Sequence, residues 1–277
     1  MVGFRMILCS PPRLRDATIS RREQSAGVVT NAKLRAAAMR TVVAAAAFGL
    51  ACNARAAASQ TTTNTRRSFE MLTRRMDVDV DGAPRAYGPP GTDTLDYLRN
   101  AHSMGVLSAP VVGYLTDDAH RPIVQGPTDP APGYYVSQTA YEDDSVGDER
   151  SPRRYVDATK INYVVLGNRA RKMGARLGDF VAVYSKRTRR SVFAIVGDSG
   201  NPSGDEGSLH LLQALGYPFR NGKTYAVADP EIVIRFYPES NAERLFFRKQ
   251  SDLDAAAMRL GLSRAFSPDA LAHIPRS

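Results

Sequence analysis

Tryptophan and cysteine are the two residue types that this 277-residue chain has least of. Tryptophan is absent, so a ligand that stacks on an aromatic ring would have to use the 12 tyrosines instead. The only cysteines are Cys9 and Cys52, and both lie near the N-terminus. If the segment that carries them is removed, the mature protein has no disulfide bond, and its hydrophobic core alone must stabilise the fold.

Histidine is also scarce, and several common catalytic motifs are missing. The four histidines show no paired spacing and have no cysteine partners, so the sequence predicts no zinc site, no other metal and no cofactor. They are His102, His120, His210 and His273. The motifs Ser-x-x-Lys, Gly-x-Ser-x-Gly and the phosphate-binding P-loop do not occur, which argues against acyl and phosphoryl transfer.

The N-terminal region has the pattern of an export signal. The apolar run Thr41–Ala51 is too short to span a bilayer; Met39 and Arg40 precede it, and a small-x-small site at 54–56 follows. We predict a signal peptide over 39–56, and therefore a secreted protein, extracellular or periplasmic, with no stable membrane insertion once the signal is removed. An uncleaved membrane anchor, or a lipoprotein attached through Cys52, is the alternative.

Residues 1–38 are predicted to be an upstream extension outside the fold, and they account for much of the charge. The net charge is +9, but residues 1–56 contain nine basic and two acidic residues, which leaves 28 basic and 26 acidic residues in the rest. A basic cluster persists at 66–67 and 74–75. Because the remaining excess is only two charges, the composition gives little support for a nucleic-acid partner.

The rest of the chain resembles a mainly β domain over 69–265, between a polar linker (57–68) and a C-terminal tail (266–277). Short β-branched runs separated by Gly, Pro, Asp and Asn predict a closed or nearly closed β-barrel or sandwich with a few short helices. The predicted strands are 110–115, 122–125, 134–138, 162–166, 180–185, 191–196, 224–227 and 231–237. Helices are predicted at 93–101 and 252–261.

The most informative stretch is 191–216, SVFAIVGDSGNPSGDEGSLHLLQALG. The run up to residue 196 predicts a strand that delivers Asp198 to its end. Ser203 and Glu206 stand at capping-box spacing, which predicts that a helix begins there, with leucines 209, 212 and 215 on its apolar face. Two carboxylates on a glycine-rich loop suit acid/base hydrolysis, although a turn-forming Asp and a helix-capping Glu explain the same pattern.

Four further stretches occur in an order that, together with 191–216, resembles a known family. They are 77–89 (DVDVDGAPRAYGP), 124–137 (VQGPTDPAPGYYVS), 155–166 (YVDATKINYVVL) and Gly178-Asp179. The resemblance, over roughly 69–238, is to the chitosanases of glycoside hydrolase family 75, and the lack of cysteine suggests a bacterial member. It implies endo-hydrolysis of chitosan, or of a related amino-sugar polysaccharide, with inversion by Asp198 and Glu206. We expect Glu206 as acid and Asp198 as base, although the sequence leaves their order open.

The family pattern has glycine before the glutamate, where this chain has Asp205, so Asp205 is kept as a neighbouring cleft candidate. Five other residues are candidates for contact with the substrate, and a purely structural role is the alternative for each. They are Asp79, Asp81, Tyr134, Lys160 and Asp179. Asp77, Asp79 and Asp81 would share one face of a strand. A calcium loop beginning at Asp77 is excluded because the residue due to be its bidentate glutamate is Gly88.

The spacing of strands and turns around Asp179 and Asp198 also resembles the double-psi β-barrel, a fold shared by several secreted polysaccharide-active families. We therefore predict a monomeric, double-psi-like barrel. That fold also occurs in non-hydrolytic polysaccharide-binding and wall-loosening modules, which makes such a module the alternative function.

Overall fold

The computed structural model describes residues 68–267. The predicted extension, signal peptide, linker up to residue 67 and tail from residue 268 lie outside the described residues. Within them, no helix is both long and apolar enough to cross a bilayer.

The protein is mainly β, as the sequence predicts. Within residues 68–267, eight strands form one curled sheet that resembles half of a barrel. They are β1 (Phe69–Leu72), β2 (Met76–Asp79), β3 (Tyr163–Leu166), β4 (Phe180–Ser185), β5 (Ser191–Ser199), β6 (Glu206–Ser208), β7 (Ala226–Val227) and β8 (Ile232–Phe236). Their order across the sheet is β1-β8-β4-β5-β3-β6-β2-β7, with β1 and β7 at the two edges. The double-psi arrangement stays a prediction.

In the described part of the chain, the α-helices that accompany the sheet are α1 (Asn168–Lys172), α2 (Leu209–Ala214) and α3 (Gln250–Arg259). Short 3-10 helices lie at Leu98–Ala101, Ser103–Gly105 and Pro152–Arg154. The prediction of a helix over 93–101 is therefore too long, because only its last four residues are helical. The predicted helix at 252–261 corresponds to α3.

The core lies along the central strands of the sheet. All four residues of β3 are buried, as is nearly all of β4, which explains why these segments read as continuous apolar runs rather than alternating ones. The predicted strands at 110–115, 122–125 and 134–138 were too long: this region contains only isolated bridges, such as Val124 with Tyr135. Turn-forming Pro, Gly and Asp between them prevent longer ladders.

Two parallel pairings determine where the acidic residues lie. β2 runs parallel to β6, which places Asp77 opposite Glu206. β3 runs parallel to β5, with a bulge between Val164 and Val165 that brings Val165 opposite Asp198. Because β3 pairs with β6 as well as with β5, the strands β5, β3, β6 and β2 lie side by side, and their acidic residues are close together in the sheet.

Candidate active site

Residues of β2, β5 and β6 line an acidic cleft with a volume of about 530 Å³. Six carboxylates line it, those of Asp77, Asp79, Asp81, Asp96, Asp198 and Glu206. The cationic side chains that line it are Arg75 and Lys223, and Arg75 forms an ion pair with Asp77. The cleft is therefore negative although the whole chain is basic, so it suits a cationic ligand.

Asp198 is held rigidly at the end of β5. Asp198 is only 7% exposed, and its Oδ1 accepts hydrogen bonds from the backbone N–H groups of Ala140 and Ser199, both at 2.7 Å. The strand continues three residues past the predicted end at Val196, so Asp198 lies within it rather than in a turn. The hydrogen bonds between β5 and its neighbouring strands therefore fix the position of this carboxylate.

Glu206 also lies on a strand, and the prediction that it belongs to the first helical turn is wrong. Residues 206–208 form β6, and α2 begins only at Leu209. The N-cap is Ser208, whose Oγ accepts from the Leu211 N–H at 3.1 Å. The predicted apolar face of the helix is confirmed, since leucines 209, 212 and 215 are all buried.

Asp79 and Asp81 come from the end of β2 and the turn that follows it. Asp79 Oδ1 accepts from the Asp81 N–H at 2.8 Å, and Asp81 Oδ1 accepts from the Tyr87 hydroxyl at 2.7 Å. The Tyr163 hydroxyl donates to the Asp81 backbone oxygen at 3.0 Å. Side chains from three segments thus fix the turn that carries both carboxylates, so the motif at 77–89 builds part of the cleft.

The four carboxylates at the centre of the cleft all have raised pKa values. Burial is the main cause for each of them, because removal from water disfavours the charged form. It raises the pKa of Asp79 to about 6 and, with repulsion from Asp79, that of Glu206 to about 8. Burial and the same repulsion raise the pKa of Asp81 and Asp198 well above the ordinary value. At pH 7, Glu206 is therefore mostly protonated and Asp79 mostly ionised.

Among residues 68–267, Asp79, Asp81 and Asp198 lie close enough together to hold a metal ion. One carboxylate oxygen from each lies within 4.8 Å of the others. Each carboxylate already accepts a hydrogen bond from the protein, from Asp81 N–H, Tyr87 hydroxyl and Ala140 N–H respectively. We treat the group as carboxylates that share protons, and the absence of a resident metal stays a prediction.

The other four sequence candidates do not line the cleft. The Tyr134 hydroxyl bonds to the Asp93 backbone oxygen, and Lys160 is exposed and paired with Asp157 at 2.7 Å. Asp179 is buried and accepts from the Arg176 N–H, which is the turn role that the sequence also allows.

Asp205, the fourth of these candidates, is 3% exposed and accepts from Arg74 Nε at 3.3 Å. Of the two adjacent acids, only Glu206 lines the cleft.

Sequence reasoning missed two cleft residues, Asp96 and Tyr225. Asp96 lies just before a 3-10 helix in a stretch without any recognisable motif. Tyr225 is 38% exposed, and its ring stacks on Phe219 with the centroids 5.1 Å apart. The lack of tryptophan is the one signal in the sequence that directs attention to exposed tyrosines.

A scan of protein-family models finds no match to this chain, and a search of curated proteins finds no significant relative. The case for a function therefore comes from the cleft and from the motifs themselves.

Proposed function

We propose that the protein is a secreted, endo-acting glycoside hydrolase that cleaves chitosan with inversion, using Glu206 as general acid and Asp198 as general base. The observation that supports this most is the pair itself: two carboxylates, on separate strands, line one acidic cleft and lie in environments that raise their pKa values. Such pairs with altered pKa values are typical of glycosidase active sites.

Glu206 has the property that a general acid needs. Burial and repulsion from Asp79 raise its pKa to about 8, so its carboxyl group holds a proton at neutral pH. It can therefore protonate the glycosidic oxygen as the bond to the leaving sugar breaks. The Asn201 side chain lies near Glu206 and partly opposes the rise of its pKa.

Asp198 has the rigidity that a general base needs. Two backbone donors favour its ionised form and oppose the effect of burial on its pKa. A bound chitosan chain would also bring ammonium groups into the cleft, and nearby positive charge lowers the pKa of a carboxyl group. The ionised Asp198 can then take a proton from the water that attacks the opposite face of the sugar.

The remaining cleft residues suit a cationic sugar polymer. Asp79, whose pKa is about 6, supplies negative charge near the catalytic pair at pH 7, and positive charge develops on the sugar in an oxocarbenium-like transition state. Tyr225, partly exposed and supported by Phe219, offers a ring on which a sugar face can stack.

Release of reducing ends from soluble chitosan tests the proposal against the alternative, a module that binds or loosens polysaccharide without cleaving it. A hydrolase produces reducing ends continuously, and an endo-acting one lowers the viscosity of the solution before much product has formed. Binding of chitosan with no gain in reducing ends would instead support the binding module.

Replacing Asp79 by asparagine is expected to shift the pH profile. The acid must be protonated, so kcat/KM should fall as the pH rises through the pKa of Glu206 in the free enzyme, about 8. Asp79 is the charge that contributes most to raising this pKa, so Asp79→Asn should move the alkaline limb to lower pH. A glucosamine hexasaccharide, soluble across this range, is a suitable substrate.

Asp77→Asn is a control that should shift the alkaline limb by a smaller amount. Asp77 raises the pKa of Glu206 less than Asp79 does, so its removal should move the limb in the same direction by a smaller amount. An alkaline limb that stays in place in Asp79→Asn would show that another group sets it.

A further inference from the structure

Asp96 lies in the wall of the cleft, outside the proposed catalytic pair. Asp96 is only 6% exposed, yet it lines the cleft together with Asn100, Gly222 and Lys223. No step of hydrolysis requires this carboxylate. A charged group that is more than nine-tenths buried needs compensating partners, so the contacts of its two oxygens are informative.

The two carboxylate oxygens of Asp96 differ. Oδ1 accepts from the Tyr97 N–H at 2.7 Å and from Asn100 Nδ2 at 2.8 Å. Oδ2 accepts no hydrogen bond from any residue between 68 and 267. No fully buried side-chain oxygen in that range lacks a partner, so Oδ2 must reach the cleft surface. One oxygen thus anchors the side chain, and the other remains accessible in a residue that lines the cleft.

Gly222 keeps the space beside Oδ2 open. A Cβ atom at this position would lie 2.9 Å from Oδ2 and 3.1 Å from the Val78 backbone oxygen, closer than ordinary packing allows. The Gly222 N–H donates to the Leu95 backbone oxygen at 2.9 Å, which holds the glycine against the segment that carries Asp96. Any larger residue would crowd the carboxylate oxygen that faces the cleft.

The charge of Asp96 is not neutralised by direct contact with a protein cation. Lys223 and Arg99 are near enough to lower its pKa, but neither forms an ion pair with it in the part of the chain that the structure describes. Lys223 Nζ instead lies 5.8 Å from the centre of the Tyr97 ring, and the Arg99 guanidinium lies 4.7 Å from it. Burial raises the pKa of Asp96 to about 6, so it is mostly ionised at pH 7.

We propose that Asp96 binds the C2 ammonium group of one glucosamine unit, so that this subsite selects a deacetylated sugar next to the catalytic pair. The inference rests on the proposed function and names the specificity of one position. An ammonium donor can form a charge-assisted hydrogen bond with the free Oδ2. An acetamido group carries no charge, is larger, and would bring its carbonyl oxygen towards a carboxylate.

Calorimetry at pH 7 tests the proposed role of Asp96. It measures the equilibrium binding of two hexasaccharides, one of glucosamine and one of N-acetylglucosamine. Glu206→Gln serves as the non-hydrolysing background, and Asp96→Asn is added to it. Asparagine keeps the Oδ1 contacts but removes the charge. We expect the Kd for the glucosamine hexasaccharide to rise by about 10- to 100-fold, as for loss of a hydrogen bond to a charged group, and little change for the acetylated one.

Two further variants show that the effect is local. Gly222→Ala, with Asp96 intact, should weaken binding of the glucosamine hexasaccharide in the same way by crowding Oδ2. Asp118→Asn removes an equal charge from an exposed residue outside the cleft and should leave both affinities unchanged. Melting temperatures report whether each variant is folded.

Several outcomes would overturn the inference. They are no binding of the glucosamine hexasaccharide by the Glu206→Gln protein, equal affinity in Asp96→Asn, or an equal loss for both hexasaccharides, which would indicate a purely structural role. Failure of the proposed function looks different. If the wild-type protein releases no reducing ends from chitosan but the binding pattern is as expected, the subsite stands and hydrolysis is wrong.

Discussion

Replacing Asp198 by asparagine or Glu206 by glutamine is expected to lower the rate of chitosan hydrolysis by several orders of magnitude. Both changes keep the shape of the side chain and remove its ionisation. Proton transfer by a positioned acid or base contributes roughly 10²–10⁴-fold to a rate, and each variant loses one such transfer. Initial rates of reducing-end release, measured at equal protein concentration, give the size of the loss.

The stability of the Glu206→Gln variant should rise although its activity falls. The native pKa of Glu206, about 8, lies above the ordinary value of 4.5. The folded protein therefore binds more protons than the unfolded chain between these pH values, and the contribution of Glu206 to stability is lost as the pH rises through about 8. At pH 8 the wild-type protein is destabilised because a buried Glu206 must begin to ionise. Glutamine cannot ionise, so the free energy of unfolding of Glu206→Gln at pH 8 should be higher than that of the wild type by on the order of 1–3 kcal/mol. Loss of activity with a raised melting temperature separates catalysis from damage to the fold.

Asp205→Asn is the control for this experiment. Asp205 is adjacent to Glu206 but does not line the cleft, and its carboxylate accepts from Arg74. We expect a loss of activity of less than about 10-fold, since no proton transfer is removed. If Asp205→Asn abolishes hydrolysis while Glu206→Gln does not, the acid is Asp205, and the assignment of Glu206 is wrong.

Gly82→Ala is expected to be the most destabilising single substitution proposed for this protein. Gly82 follows Asp81 at φ +74°, and a Cβ atom there would lie 2.0 Å from the Val156 backbone oxygen. Both the left-handed backbone and the collision with a main-chain atom are unfavourable, so we expect a loss of about 3–5 kcal/mol. Thermal unfolding should show a fall in Tm of roughly 10 °C or more.

Gly91→Ala separates the two causes. Gly91 also has a positive φ, +89°, but nothing lies within 4 Å of the position of its Cβ. Only the backbone cost of about 1 kcal/mol then applies. Equal effects of the two substitutions would show that the contact with Val156 is not important. Activity of Gly82→Ala, where it folds, reports how far Asp79 and Asp81 depend on this turn.

The sequence predicted the parts of the fold that depend on local patterns. The strand at 180–185 was predicted with the observed bounds, and the strands near 162–166 and 231–237 within one residue at each end, because β-branched residues dominate all three. Strands β1 and β6 were not identified as such, and β2 was indicated only by the alternation of Asp77, Asp79 and Asp81. They are three or four residues long, and pairing with distant partners rather than their own composition makes them strands.

Local patterns likewise predicted only part of the site. Asp198 and Glu206 follow from the motif at 191–216, but the Ser203–Glu206 spacing pointed to a capping box that tertiary pairing with β2 replaces by a strand. Asp96 and Gly222 are 126 positions apart in the sequence and meet only when the sheet curls. No local pattern predicts such a contact.

The most direct test of the proposed mechanism is the configuration of the first product, followed by proton NMR during hydrolysis of the β-linked glucosamine hexasaccharide. Inversion by Asp198 and Glu206 predicts that the α-anomer forms first and converts slowly to the equilibrium mixture. The β-anomer forming first would contradict this account, because it requires a covalent intermediate and carboxyl groups only about 5–5.5 Å apart. No cleavage at all would contradict the proposal that this cleft is a hydrolase active site.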